Sequence, residues 1–198
     1  MRLQQYLNED IVKERIELIE KNCQPFLKDL KKLNNRNLLY SGRPVTIDFT
    51  KKKVRKNRKP KNTPEKLHQL IDDWFYDKFS IRSRSNVIFC IFHYYEAALY
   101  GEPHVIFPIG KYKAVSSPIV LDLTQFIEDT FFDIMYDVKK NLYFKPGEED
   151  ILTSKLEQLK YTDKLKYHMN EIMITCKEYY ILHLKSNKNV IKHFEENY

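Results

Sequence analysis

In the stretch HMNEIMITCKEYYIL, Glu171 stands directly in front of an apolar run that reads as a buried strand, which raises the question of why a carboxylate should open it. Two structural answers are available: Glu171 caps a helix, or it marks a solvent-exposed strand end. A chemical answer would need the carboxylate fixed at the mouth of a cleft by a stiff strand. The second stretch with chemical potential is KKKVRKNRKPKNTPEKL. It crowds Lys51, Lys52, Lys53, Arg55, Lys56, Arg58, Lys59 and Lys61 together without interleaved acids. Like charges at that density repel, so this stretch is expected to be exposed and irregular until a polyanion or the protein's own carboxylates neutralise it. It reads either as a solvated loop or as an electrostatic arm for phosphates or for an acidic protein. No aromatic residue is interleaved, and no helix-turn-helix or RNA-recognition signature is present, so such an arm would not read sequence.

Other familiar chemistry is missing. There is no phosphate loop, Gly-rich dinucleotide fingerprint, HExxH or nucleophile elbow. The six histidines are scattered, and none pairs with a Cys or Asp at a metal-ligand spacing, so no metal site is expected. His93 reads as a polar helix start. A nuclease built on clustered carboxylates would need several acids on adjacent strands. Asp72 and Asp73, however, fall on what reads as an exposed helix face. Cys23, Cys90 and Cys176 lie in apolar contexts and read as buried thiols.

The elements that must position these residues follow from periodicity and punctuation. NEDIVKERIELIEKNC predicts a helix with Asn8 as a candidate cap, and Pro25 starts a second short helix through Leu33. RNLLYSG predicts a strand turning at Gly42 and Pro44. NTPEKLHQLIDDWFYDKF predicts the clearest helix, with Thr63 as cap, Pro64 at its first position, and Leu67, Leu70, Ile71, Trp74 and Phe75 on one face. NVIFCIF and HVIFPIG read as strands on either side of a short helix, HYYEAALYG, closed by Gly101. Ser117 and Pro118 are expected to open one long helix through Leu123, Ile127, Phe131, Ile134 and Val138, broken at FKPGEED. A polar helix at 149–159 precedes the Glu171 strand. Alternation there puts Glu171, Met173 and Thr175 on one face and Ile172, Ile174 and Cys176 on the other. With 198 residues, 42% of them hydrophobic, and no dividing linker, the chain predicts one domain over 1–198. Its longest apolar stretch is too short to cross a bilayer and its N-terminal residues do not read as a signal peptide, so a cytoplasmic location without membrane contact is expected. A formal charge of +7 points toward acidic partners.

Three separated pieces, in order, resemble the catalytic signatures of the ADP-ribosyltransferase superfamily: LLYSG, NVIFCIFHYYEAALYG and NEIMI. Beyond these pieces, most of the chain resembles a group of bacteriophage proteins that carries no established activity, which would place the chain in the host cytoplasm. The resemblance implies an α+β fold with a split, mostly antiparallel sheet over 36–198 behind a helical segment over 1–35. It implies NAD as substrate and a host macromolecule, nucleic acid or protein, as acceptor of ADP-ribose. Glu171 would be the catalytic residue, stabilising the positive charge that develops on the sugar as its bond to nicotinamide breaks, much as glycosidase carboxylates do. Tyr40, Ser41, Gly42 and Arg43 would form the cofactor strand, and Phe89 and Tyr100 would border the nicotinamide pocket. Tyr100 also reads as a core tyrosine. Lys52, Lys53, Arg55, Lys56, Arg58 and Lys59 would recruit the acidic acceptor.

The sequence departs from the family at two places. Ser41 stands where relatives carry Arg or His, and a hydroxyl does not replace a charged donor to a diphosphate. Either Arg43 has taken the role, or Arg82 or Arg84 supplies it, or the chain is a degenerate relative that binds without turnover, acting as a basic inhibitor of a nucleic acid or protein. Cys90 and Ile91 also stand where many relatives carry Ser or Thr.

Overall fold

The structure, a computed structural model, describes residues 2–33, 37–59, 63–130, 132–141 and 144–198. Two helices, α1 (Arg2–Asn22) and α2 (Gln24–Leu33), open it. Pro25 lies in the first turn of α2, where its missing N–H is one that would have no helical partner anyway. Because α1 begins at Arg2, Asn8 is inside the helix and not at its cap. Strands β1 (Tyr40–Arg43) and β2 (Phe49–Lys53) precede α3 (Glu65–Phe79), β3 (Ile88–Cys90) and α4 (Tyr94–Ala98). A long strand β4 (Glu102–Ser116), helices α5 (Leu123–Thr130), α6 (Phe132–Asn141) and α7 (Glu148–Gln158), strand β5 (Ile172–His183) and helix α8 (Lys188–Asn197) complete the chain.

The fold is α+β, with an open five-stranded sheet in which every named pairing is antiparallel. β5 is its spine. Along one edge β5 pairs with β4, from His104 opposite His183 to Ser116 opposite Ile172, with an irregularity between Ile109 and Tyr112. Its other edge is shared: β3 pairs with its first residues and β2 with its last, so the sheet is split between them. β1 lies outside β4, and Tyr40 also exchanges backbone hydrogen bonds of 2.8 and 2.9 Å with Ile91, just beyond β3. Those bonds join β1, whose partners on β4 lie opposite the tail of β5, to the chain just beyond β3, which lies beside the head of β5.

Both faces of β5 are covered, which accounts for its nearly unbroken apolar sequence. Ile172 and Ile174 pack with α1, α2 and α8 in one core, where Phe26, Phe107 and Phe194 are fully buried. Met173 packs on the opposite face with α3, α5 and α7, beside Val87, Val115 and Leu123. Each fully buried Phe or Leu contributes about 1.5–3 kcal/mol relative to an exposed one. Cys23 and Cys90 are buried and Cys176 half-buried, all three as free thiols. Burial pushes the Cys23 and Cys176 thiols up to about 12.

Several local expectations are corrected. Lys51, Lys52 and Lys53 are not irregular: they form the end of β2, because pairing with β5 supplies their backbone partners and Glu178 lies 3.6 Å from Lys51 Nζ. Lys61 lies outside the described residues, as does Phe131. Thr63 does not cap α3; Pro64 holds that position and Thr63 Oγ1 accepts a bond from Arg84 instead. Ser117 and Pro118 do not open a helix. The Ser117 hydroxyl accepts from Ile119 and Val120 N–H in a turn, and α5 starts at Leu123 behind Asp122. Asp72 is buried, 2% exposed, rather than on an open face. Helix α8 has no counterpart in the sequence reading.

Candidate functional site at the head of β5

Glu171 sits one residue before β5, on the Met173 side of the sheet, and is pinned at both ends. Its N–H donates to Leu121 O at 2.9 Å, and its carboxyl is hydrogen-bonded by the Leu123 N–H at the start of α5. That bond is not enough to keep the charge comfortable: burial first, then the negative charge of Asp122, push the Glu171 carboxyl up to about 8, against the opposing pull of Arg84, the Leu123 N–H and Arg58. Two half-buried carboxylates are thus crowded at one helix N-terminus.

Asp122 is held by three donors. Its Oδ1 accepts from Thr124 N (2.7 Å) and Gln125 N (3.0 Å), capping α5, and its Oδ2 accepts from the Tyr100 hydroxyl at 2.8 Å. Burial and the charges of Asp122 and Glu171 raise the Tyr100 phenol, and burial with the same two charges raises Tyr161. Glu171, Asp122, Tyr100 and Tyr161 therefore share one electrostatic neighbourhood.

Arginines face this acidic pair. Arg84 donates to Thr124 Oγ1 at 2.6 Å and to Thr63 Oγ1 at 3.2 Å, which ties α5 to the chain two residues before α3. Its backbone N–H donates to Asp72 Oδ1 at 2.6 Å, and Ser85 Oγ donates to Asp72 Oδ2. This is the reason Asp72 is buried: it anchors the 84–85 turn. Arg58 donates through Nη2 to Val87 O at 3.2 Å and lies over the Phe89 ring, 5.3 Å from its centroid and within the roughly 6 Å reach of a cation–π contact. Burial and the positive charges of Arg43, Arg55 and Arg84 lower the Arg58 pKa, so four guanidinium groups crowd one region. Arg43 has its Nε buried without a protein partner.

The residues expected for cofactor binding divide between two faces. Alternation puts Ser41 and Arg43 on one side of β1 and Tyr40 and Gly42 on the other. Ser41 is buried, 6% exposed. Tyr40 belongs to the main core, with its hydroxyl donating to Glu195 Oε1 on α8 at 3.1 Å, so its side chain is outside the Glu171 cluster. Gly42 sets how closely β1 approaches α4: a Cβ there would meet Ala97 O at 2.2 Å and Tyr100 Cβ at 2.8 Å. Gly101, at φ +130°, lies against Arg43 in the same way. Phe89 pairs with Met173 across the β3–β5 ladder. Of the basic stretch, Lys53, Arg55, Lys56 and Lys59 are exposed, Lys52 is half-buried, and Arg58 turns inward to the cluster.

Asp122, Thr124, Tyr161 and Ser85 were not anticipated. Asp122 had a usable signal, an acid immediately ahead of the apolar periodicity at Leu123 and Ile127, which is a helix-start signature. The other three have none, because tertiary packing alone brings them together. Among the described residues no group of His, Cys, Asp and Glu is arranged to hold a metal ion, and no helix is long and apolar enough to cross a membrane. Comparison of the chain with protein-family models, with curated proteins and with solved structures gives no match.

Proposed function

We propose that the chain is an ADP-ribosyltransferase-type enzyme that moves ADP-ribose from NAD onto a macromolecule, with Glu171 as its catalytic carboxylate. The observation that carries this reading is the position of Glu171: a carboxylate crowded by Asp122 at the head of β5 and faced by Arg84 and Arg58. A site with acids for sugar hydroxyls and several guanidinium groups for phosphates fits a sugar diphosphate. The orphaned Arg43 Nε supports the fit, since a buried donor without a protein partner is suited to an anionic ligand.

NAD would supply the ADP-ribosyl group and a nicotinamide leaving group. The bond from nicotinamide nitrogen to ribose carbon breaks with its electron pair leaving on nicotinamide, and the acceptor nucleophile bonds to that carbon and gives up a proton. Glu171 acts in its ionised form, binding the ribose hydroxyls and opposing the positive charge that develops on the sugar. Arg58 and Arg84 hold that ionised form by lowering its pKa, and Arg43 takes the charged-donor role that Ser41 does not fill.

The test combines labelled NAD, cell lysate and purified protein, with and without nuclease, and follows label into protein and nucleic acid. Incorporation by wild type and none by Glu171→Gln is the expected result; incorporation by both removes Glu171 from the mechanism. A second reading, favoured by the buried Ser41, is a degenerate relative that binds a nucleic acid or acidic protein without turnover. Failure of the wild type to bind or consume NAD would select it.

A further inference from the structure

We propose that the acceptor is a single-stranded nucleic acid, its backbone seated in a basic cleft between residues 56–59 and α3, its unpaired bases on the α4 tyrosines, and Glu171 between the two. This rests on the reading of Glu171 as the transfer catalyst.

The cleft has a volume of ≈ 290 Å³ and is lined by Lys56, Arg58, Lys59 and Arg82 together with Glu65, His68 and Asp72. Its acids do not cancel its cations. Four cations, Lys56, Arg58, Lys59 and Arg82, face two acids, Glu65 and Asp72, with Arg82 also shared with Asp73 at 2.8 Å. His68 is only 7% exposed, and its Nδ1 is buried without a protein partner. His68 does not add to the cations: its Nε2–H donates to Ser85 Oγ, whose own hydrogen goes to Asp72, so the free Nδ1 is an acceptor and the fit to a phosphate group rests on the cations.

Arg58 links this cleft to the catalytic carboxylate: it lines the cleft, donates to Val87 O and lies over Phe89, which pairs with Met173 two residues along β5 from Glu171. Glu171 also adjoins the 121–123 stretch through its bond to Leu121 O, and there Asp122 is bonded by Tyr100. There the surface changes character: Tyr95 is 71%, Leu99 78% and Tyr100 65% exposed. Tyr95 and Leu99 are one helical turn apart, and Tyr95 is backed by Tyr94 at a ring-centroid distance of 3.8 Å. A cationic groove ending in open aromatic faces matches a strand whose bases are free to stack. In a duplex those base faces are already covered, and an acidic peptide would use the cations but leave the rings without a partner.

The experiment is fluorescence anisotropy, without NAD, of a labelled oligothymidylate of about 20 nucleotides, compared with a duplex of equal length and with polyglutamate as competitor. The strand is expected to bind at least about tenfold tighter than the duplex. Tyr95→Ala should weaken the strand about tenfold and leave the duplex unchanged, with Tyr95→Phe restoring the strand. Lys56→Gln with Lys59→Gln should flatten the salt dependence by about two phosphates. Equal affinity for strand and duplex, no effect of Tyr95→Ala, or displacement by polyglutamate at equal charge would overturn the proposal. Strand binding without labelling from NAD would sink the transferase reading alone; labelling confined to protein, with no strand binding, would sink the acceptor alone.

Discussion

Replacing Glu171 by Gln should stabilise the protein while removing its activity, and the stabilisation should grow with pH. The variant keeps the volume and an oxygen for the Leu123 N–H, but it cannot carry the charge that burial and Asp122 disfavour. The folded-state pKa is raised, from 4.5 to about 8, so between those values the native protein holds a proton that the unfolded chain has released. Wild-type stability therefore falls as pH rises through this window. Each pH unit is worth at most about 1.4 kcal/mol, and the residual solvent access of Glu171 reduces that, so the variant should gain about 1–2 kcal/mol on the wild type between about pH 6 and pH 8. For a chain of this size the gap in Tm should widen by about 3–6 °C over the same interval. The assay is thermal unfolding of both proteins across that range, and because every other titrating group is common to the pair, the difference isolates Glu171. A gap that is constant with pH, or a variant less stable than wild type throughout, would refute the reasoning about burial and charge. A variant that still labels would refute the catalytic role separately.

The wild-type labelling rate should itself rise with pH and level off above about 8, as the Glu171 carboxyl ionises; a rate already flat from neutral pH downward would contradict this. Arg84→Ala removes a charge that lowers the Glu171 pKa, so its rate profile should move to higher pH, read from the midpoint of rate against pH. Gly42→Ala should destabilise by about 2–3 kcal/mol in denaturant melts, because its methyl group would meet Ala97 O at 2.2 Å and backbone must shift. Asp72→Ala leaves the Arg84 N–H and the Ser85 hydroxyl without their acceptor, and should lower stability by about 3 kcal/mol in the same measurement.

Local chemistry made much of this protein legible from its residues. The α1 and α2 pair, the α3 helix, the strands around HYYEAALYG and the apolar β5 all follow from periodicity and from Pro and Gly punctuation, which act over a few neighbours. Alternation along β5 also foretold that Glu171 shares a face with Met173, because a strand's side-chain period is fixed by its pleat. What tertiary structure decided is where those elements meet. A run of lysines became strand β2 because β5 offered it a ladder and Glu178 a counter-charge, although nothing local favours a strand there. Asp72 reads as a surface acid in its helix and is buried because the 84–85 turn, twelve residues on, needs an acceptor. The crowding of Asp122 against Glu171, and the approach of Arg58 and Arg84, join residues from four separate stretches of chain. Charges far apart in sequence shift one another only once folding has removed the water between them, so the pKa of Glu171 is a property of the fold.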